Sequence, residues 1–311
     1  MIDCQDVTKL YGPLRALDHV SFQVQPGEVL GFLGPNGAGK TTTMRIIAGF
    51  LAATEGKVTV CGCDIEAQGL KAKRHIGYLP EGGAGYPEMT PRSFLEFVAE
   101  ARAMPAPIRK RRLDEVFGLL HLDKVLDQNI ETLSKGYRRR VGLAQAILHD
   151  PDVLLLDEPT DGLDPNQKHE VRQLIGSMSA NKIIVISTHL LEEVGAVCTR
   201  AVVIAKGKVV ADDTPAGLQA RSRFHNAVTF RLGNGAELSA ARAAVGALPE
   251  VADTEIDTES GRVTAFPAEG RLPLQPISRL AEQQGWELAE LAVESGRLDE
   301  VFRTITGGAS A

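Results

Sequence analysis

Cysteine is scarce in this chain. The four present, Cys4, Cys61, Cys63 and Cys198, are too few and too scattered among 311 residues to form the disulfide framework of a small secreted domain, so reduced thiols are expected. Long apolar runs are missing as well: Asp152 to Leu156 and Ile183 to Ile186 are strand-length, far short of the roughly 20 residues that carry a helix across a bilayer. The first residues, Met1-Ile2-Asp3-Cys4, have no basic region and no apolar stretch ahead of a small-residue cleavage site, so no secretory signal is read and a cytosolic setting is expected. Nor is there an excess of positive charge. A net charge of −6 argues against non-specific association with nucleic acid. The basic runs Arg109-Lys110-Arg111-Arg112 and Arg138-Arg139-Arg140 lack interleaved aromatics and read as solvated helix faces. Cys61-x-Cys63 has no second Cys/His cluster near it in sequence, and a structural zinc site usually needs four ligands, so buried strand-and-turn cysteines are expected there.

What is present is ordinary for a soluble globular protein: 43% hydrophobic and 24% charged residues, in a chain long enough for two domains. From Met1 to about Asp213, strand and helix patterns alternate around Gly-rich turns, the sign of an α/β domain with largely parallel strands. No lysine follows Lys208, and Asp212-Asp213-Thr214-Pro215 begins a connector; the boundary is placed near Ser222, giving domains 1–221 and 222–311. In the second, strands are expected at Ala227 to Leu232, Val251 to Thr258, Gly261 to Pro267 and Trp286 to Val293. Helices are expected at Leu238 to Leu248, after the turn Gly233-Asn234-Gly235, and at Leu274 to Gln284, with a terminal helix from Leu298 to Ile305. That β-α-β-β-α-β order is that of a small ferredoxin-like α+β domain. It holds no constellation of catalytic type, and an interaction module is expected.

The chemistry lies in the first part. Gly34-Pro35-Asn36-Gly37-Ala38-Gly39-Lys40-Thr41-Thr42 fits the phosphate-binding loop G-x-x-x-x-G-K-[ST], between an apolar strand (Glu28 to Leu33) and a helix (Thr41 to Phe50). Backbone N–H groups and the helix N-terminus then face an anion, Lys40 reaches the phosphates, and the Thr41 hydroxyl suits Mg²⁺. A second element, Val153-Leu154-Leu155-Leu156-Asp157-Glu158, is a buried strand ending in two acids. Asp157 can hold the metal and Glu158 can polarise a water as general base. Together the two elements point to a nucleoside triphosphatase.

Further motifs follow in order. Leu133-Ser134-Lys135-Gly136-Tyr137 resembles the signature of the ABC ATPase family, Gly162-Leu163-Asp164 its D-loop, Ser187-Thr188-His189 its switch histidine, and Tyr11 its adenine-stacking aromatic. Two positions depart from the family pattern: the signature is commonly Leu-Ser-Gly-Gly-Gln, and Glu81, after Ile76-Gly77-Tyr78-Leu79-Pro80, stands where the Q-loop glutamine is usual. A carboxylate there can still bind Mg²⁺ or the lytic water. The tail is similar to the C-terminal extension of the export-type branch, which includes drug, sodium-extrusion and gliding-motility ATPases.

The resemblance implies a P-loop ABC cassette with a helical subdomain at about 82–150, using ATP and Mg²⁺. It implies Glu158, His189 and Glu81 as catalytic residues and Thr41, Asp157 and Glu81 as metal ligands. It further implies that Ser134, Lys135 and Gly136 complete the site of a second subunit, in a homodimer whose two sites both hydrolyse ATP. An integral membrane permease would dock around Glu81 to Pro91, holding the protein at the cytoplasmic face of the membrane. Two other functions remain open at this point: a soluble ABC ATPase without a permease, although neither a second cassette nor a long coiled coil is present, and a non-catalytic nucleotide-gated module, although Lys40, Glu158 and His189 are all retained.

Overall fold

The computed structural model describes residues 1–82, 85–233, 237–268 and 271–307. Two compact units result, Met1–Pro215 and Ala216–Ala311, so the break falls inside the expected connector and residues 216–221 go with the second unit.

In the first unit β1 (Ile2–Tyr11) and β2 (Leu14–Val24) are followed by β3 (Val29–Leu33), α1 (Lys40–Ile47), β4 (Glu55–Val60), β5 (Cys63–Asp64), α2 (Gly69–Arg74) and β6 (Ile76–Leu79). Helices α3 (Pro91–Ala101), α4 (Ala106–Leu119) and α5 (Lys135–Ile147) then precede β7 (Val153–Asp157). The unit continues with α6 (Pro165–Met178), β8 (Ile183–Thr188), α7 (Leu191–Val197), β9 (Arg200–Ala205) and β10 (Lys208–Asp213). Six strands form one sheet in the order β10-β9-β3-β8-β7-β6. All its neighbours run parallel except the edge strand β10. Strands β3, β7 and β8 are buried along their whole length, which is why they read as apolar runs, ending in Asp157 in β7 and Ser187-Thr188 in β8, rather than as alternations.

Not every strand of this unit joins the parallel sheet, as simple alternation would have it. Strands β2-β1-β4-β5 make a separate antiparallel sheet, because the short turn at Gly12, with φ of 57°, sends β2 straight back along β1. Between β6 and β7 the regular elements are helical and pack around Phe94, Leu95, Phe117, Leu122 and Val141. A glycine sets how closely α5 lies on the sheet: a Cβ on Gly77 would fall 2.1 Å from the Ala146 carbonyl. Parallel register then brings Leu33 beside Thr188 and Asp157 beside Ser187, so the ends of β3, β7 and β8 open on one edge. Ligands bind outside such carboxyl ends in open α/β sheets.

A short helix, α8 (Pro215–Gln219), is followed by the second unit's β11 (Val228–Leu232), α9 (Leu238–Gly246), β12 (Val251–Asp257), β13 (Arg262–Pro267), α10 (Leu274–Gln284), β14 (Leu288–Val293) and α11 (Leu298–Ile305). Its sheet runs β12-β13-β11-β14, antiparallel throughout, around Phe230, Val245, Val263 and Ile277. First strand inside and last strand at an edge is the ferredoxin-like arrangement. Of the expected turn Gly233-Asn234-Gly235, Asn234 and Gly235 lie outside the described residues.

Candidate nucleotide site

The three glycines of the loop at Gly34 serve different ends. A Cβ on Gly34 would lie 2.4 Å from the Ile204 carbonyl, and one on Gly39 would lie 2.8 Å from the Ala16 carbonyl, so both let the loop press against neighbouring strands. Gly37 has open space around it but φ of 76°, a left-handed conformation. Lys40, the first residue of α1, is buried and folds back to donate to the carbonyls of Gly34 at 2.7 Å and Pro35 at 3.3 Å. Burial lowers its ammonium from the usual range, while Glu158, Asp157 and Glu81 oppose that shift.

Asp157 closes β7 fully buried. The Ser187 hydroxyl donates to its Oδ1, whereas Oδ2, equally buried, has no hydrogen-bond partner. A bare buried carboxylate oxygen is costly unless a cation or donor reaches it, and an oxygen donor fits the preference of Mg²⁺. Glu158 turns off the strand with φ of 50°, its N–H donating to the Ser187 carbonyl at 3.0 Å. That turn puts the carboxylate between two basic groups: Lys40 Nζ at 4.0 Å and His189 Nδ1 at 3.0 Å.

One cleft of about 420 Å³ is lined by Tyr11, Pro35, Asn36, Gly37, Gly39, Lys40, Thr41, Thr42, Glu81 and Glu158. Tyr11 stands half exposed at the end of β1 with Lys9 Nζ 5.4 Å from its ring centroid. Ala38 is buried behind the loop. The signature residues are elsewhere: Ser134, Lys135, Gly136 and Asp164 do not line this cleft. Ser134 caps α5, accepting from the Tyr137 N–H at 3.3 Å, and Lys135 pairs with Asp161 at 2.9 Å. Asp164 caps α6 through a reciprocal bond with Gln167. Gln167 also presses on Gly136, where a Cβ would meet its amide at 2.7 Å. Signature and D-loop are therefore tied to each other within the chain, apart from the phosphate loop.

The ABC transporter family model matches residues 17–161. Over 212 residues the chain is 38% identical to an uncharacterized ABC transporter ATP-binding protein, YhcH, of Bacillus subtilis (strain 168), with 68% of each chain covered. This chain belongs to the ABC transporter ATP-binding family. It is also 37% identical to the Nod factor export ATP-binding protein I of Burkholderia pseudomallei, over 69% of this chain and 71% of that one. With the probable multidrug ABC transporter ATP-binding protein YbhF of Escherichia coli it shares 33% over 71% of its length, spanning 38% of that protein. Among solved structures, a dimeric bacterial ABC transporter cassette superposes with a TM-score of 0.64 at 26% identity, over 69% of this chain and 99% of that one. The first unit is thus a P-loop ABC cassette.

The cassette uses residues that the sequence reading missed. Arg139, read there as part of a solvated basic run, is buried, and the physical reason is its spacing: it lies three residues after Gly136 and four before Leu143, on the inner face of α5. Its guanidinium donates to the carbonyls of Pro80 at 3.0 Å and Pro159 at 3.2 Å, and to those of Asp157 and Glu158. One side chain thereby fixes the backbone before Glu81 and the backbone carrying both acids. Burial works against its charge, and Asp157 is foremost in holding it. In the same run Arg140 pairs with Glu170 at 2.6 Å, and in the other run Arg112 donates to the carbonyls of Ile147 and Leu148, so these basic runs are partly structural. Ser187, the first residue of the switch motif, orients Asp157; its place opposite Asp157 in β8 is visible only once the strands pair.

Proposed function

We propose that the chain binds and hydrolyses Mg-ATP as one half of a homodimer, and that this cycle drives a separate membrane permease of the export type. The observation that carries this reading is the meeting of the phosphate loop, Lys40 and Glu158 in one cleft, with His189 on the Glu158 carboxylate and the bare Asp157 Oδ2 behind it.

On binding, Lys40 exchanges its loop carbonyls for phosphate oxygens, and the loop N–H groups hold the same anion. Thr41, Asp157 Oδ2 and Glu81 would hold Mg²⁺, which supplies neutralisation of phosphate charge when bound. Tyr11 offers a face for the adenine. Glu158 takes the proton of the attacking water, a role worth about 10²–10⁴-fold, while His189 orients its carboxylate. Ser134 and Lys135, exposed at the start of α5, with Gly136 buried under Gln167 next to them, lie away from their own chain's cleft and act on the nucleotide of the second subunit, with Asp164 beside them.

A second feature supports the permease. A cavity of about 700 Å³ is lined by Phe50, Tyr78, Pro80 and Phe97, with Arg45, Lys73 and Arg102 also on its wall. Phe50 and Phe97 are exposed at 68% and 46%, as a surface awaiting an apolar helix would be. It adjoins the docking segment expected at Glu81 to Pro91, of which Gly83 and Ala84 lie outside the described residues. Among the described residues no helix is long and apolar enough to cross a membrane; in this reading the permease spans it and the chain docks on the permease's cytoplasmic side. The export direction is taken from the names of the multidrug and Nod factor relatives. No nucleic-acid partner is proposed.

A vanadate-sensitive Mg-ATPase assay on the purified chain tests hydrolysis, and co-purification of a permease from solubilised membranes tests coupling. Nucleotide binding without turnover would favour a gated binding module; turnover with no membrane partner would favour a soluble ABC ATPase.

A further inference from the structure

The Cys61-x-Cys63 pair splits in the fold. Cys63 is buried in the core of the first unit, with Sγ 3.9 Å from the Cys61 carbonyl. Cys61, half-buried in the turn between β4 and β5, instead meets two residues remote in sequence. Its thiol, a ring nitrogen of His75 and a carboxylate oxygen of Asp152 all lie within 4.8 Å of one another. We propose that Cys61, His75 and Asp152 form a binding site for a divalent transition metal of the zinc class, separate from the nucleotide cleft.

Three arguments carry it. The donor set of one sulfur, one imidazole nitrogen and one carboxylate oxygen is what Zn²⁺ takes, and three protein ligands leave a fourth position for water. Each ligand also sits on a backbone pinned independently: the Cys61 N–H donates to the Met1 carbonyl, the His75 carbonyl accepts from Val153, and the Asp152 carbonyl accepts from Ile183, each at 2.9 Å. The donors are therefore gathered before any ion arrives, which reduces the ordering cost of binding. Lastly, the site is open: the Asp152 side chain is 65% exposed, so an ion can enter and keep a water. His75 Nδ1 is already 2.6 Å from Asp152 Oδ2, a hydrogen bond that accounts for two of the three groups but not for the thiol beside them. Burial raises the Cys61 thiol, so without a cation it keeps its proton and binding must release it. Once bound, the ion joins the turn after β4, in the antiparallel sheet, to the residues preceding β6 and β7 of the parallel sheet.

The test is titration of the metal-stripped full chain with Co²⁺, whose bond to a thiolate gives a near-ultraviolet charge-transfer band that the nucleotide site, lacking cysteine, cannot produce. One Co²⁺ per chain with that band is expected, lost in Cys61→Ser and kept in Cys63→Ser. His75→Ala should weaken binding by about tenfold or more. As an independent readout, Zn²⁺ should raise the melting temperature of the unmodified chain by several degrees but not that of His75→Ala. A folded chain that shows no band, a band that survives Cys61→Ser, or equal Zn²⁺ stabilisation of His75→Ala would overturn the site.

Discussion

The two units handle buried polar groups in opposite ways. In the second, Ser222, Thr229 and Thr254 are buried and each is matched locally: Ser222 donates to Glu300, Thr229 lies 3.2 Å from the Thr264 hydroxyl, and Thr254 accepts from Arg242 at 3.2 Å. In the first, Lys40, Arg139, Asp157, Ser187 and Glu193 are buried, and the unmatched buried side-chain atoms found among the described residues, on Tyr78, His149, Asp157, Arg172 and Glu193, all belong to it. The second unit closes the hydrogen bonds of these buried groups. A unit that must bind a charged ligand leaves some open, at a cost to its own stability.

If that contrast is functional, the largest effects come from the charged groups of the nucleotide cleft. Lys40→Ala removes the ammonium and should abolish measurable binding of a fluorescent ATP analogue, since the charge-assisted contact serves the ground state too; wild-type affinity would remove Lys40 from the site. Glu158→Gln keeps the shape of the side chain but not its basicity. ATP binding should survive while turnover drops by about 10²-fold or more, and gel filtration with Mg-ATP should show a trapped dimer. Normal turnover would rule out Glu158 as the base.

Arg139→Met sharpens the comparison, because it touches no substrate. It keeps the apolar stem and removes the donors to four carbonyls, so ATP affinity should change little while turnover falls by about tenfold, through misplacement of Asp157 and Glu158. Unchanged turnover in this variant would make Arg139 a packing residue alone.

These variants also show where the sequence was readable. The phosphate loop and the acid-tipped strand could be read directly because their chemistry needs neighbouring residues in fixed order. The ferredoxin-like strand order was readable because each element is local and its periods differ. Arg139 and Ser187 act on groups 18 to 59 and 30 residues away, so only strand register and helix packing reveal them. The antiparallel sheet of β1, β2, β4 and β5 was hidden for a similar reason: alternation along a strand says which face is buried, not which way its neighbour runs.

A smaller effect is expected from His149, which is open but remote from the chemistry. Burial lowers its pKa from 6.5 to about 3, and its Nε2 lies 3.1 Å from the Ile76 carbonyl while Nδ1 has no partner. The unfolded chain takes up this proton below about pH 6.5 and the folded chain does not until about pH 3. The stability tied to neutral His149 is therefore present above pH 6.5 and lost as pH falls, by up to about 1.4 kcal/mol per unit. Urea midpoints at pH 7 and 5.5 should differ less in His149→Gln than in the unmodified chain; equal differences would mean that His149 takes up its proton as readily in the folded chain as in the unfolded one.

The smallest effect on nucleotide should come from the closed unit. Phe230 is fully buried in β11, with its ring centroid 6.4 Å from that of Trp286 in a stacked arrangement, so Phe230→Ala should cost the second unit about 3–5 kcal/mol. That loss appears as a lowered thermal transition or increased protease sensitivity of residues 216–307. Yet none of the side chains placed in the nucleotide site belongs to this unit, and its own buried polar groups are satisfied within it. Affinity of the full-length variant for the ATP analogue should therefore stay at the unmodified value, measured at a temperature where the cassette remains folded. If affinity falls together with the second unit's stability, residues 216–307 contribute to the nucleotide site, and the division between an open, chemical unit and a closed, structural one does not hold.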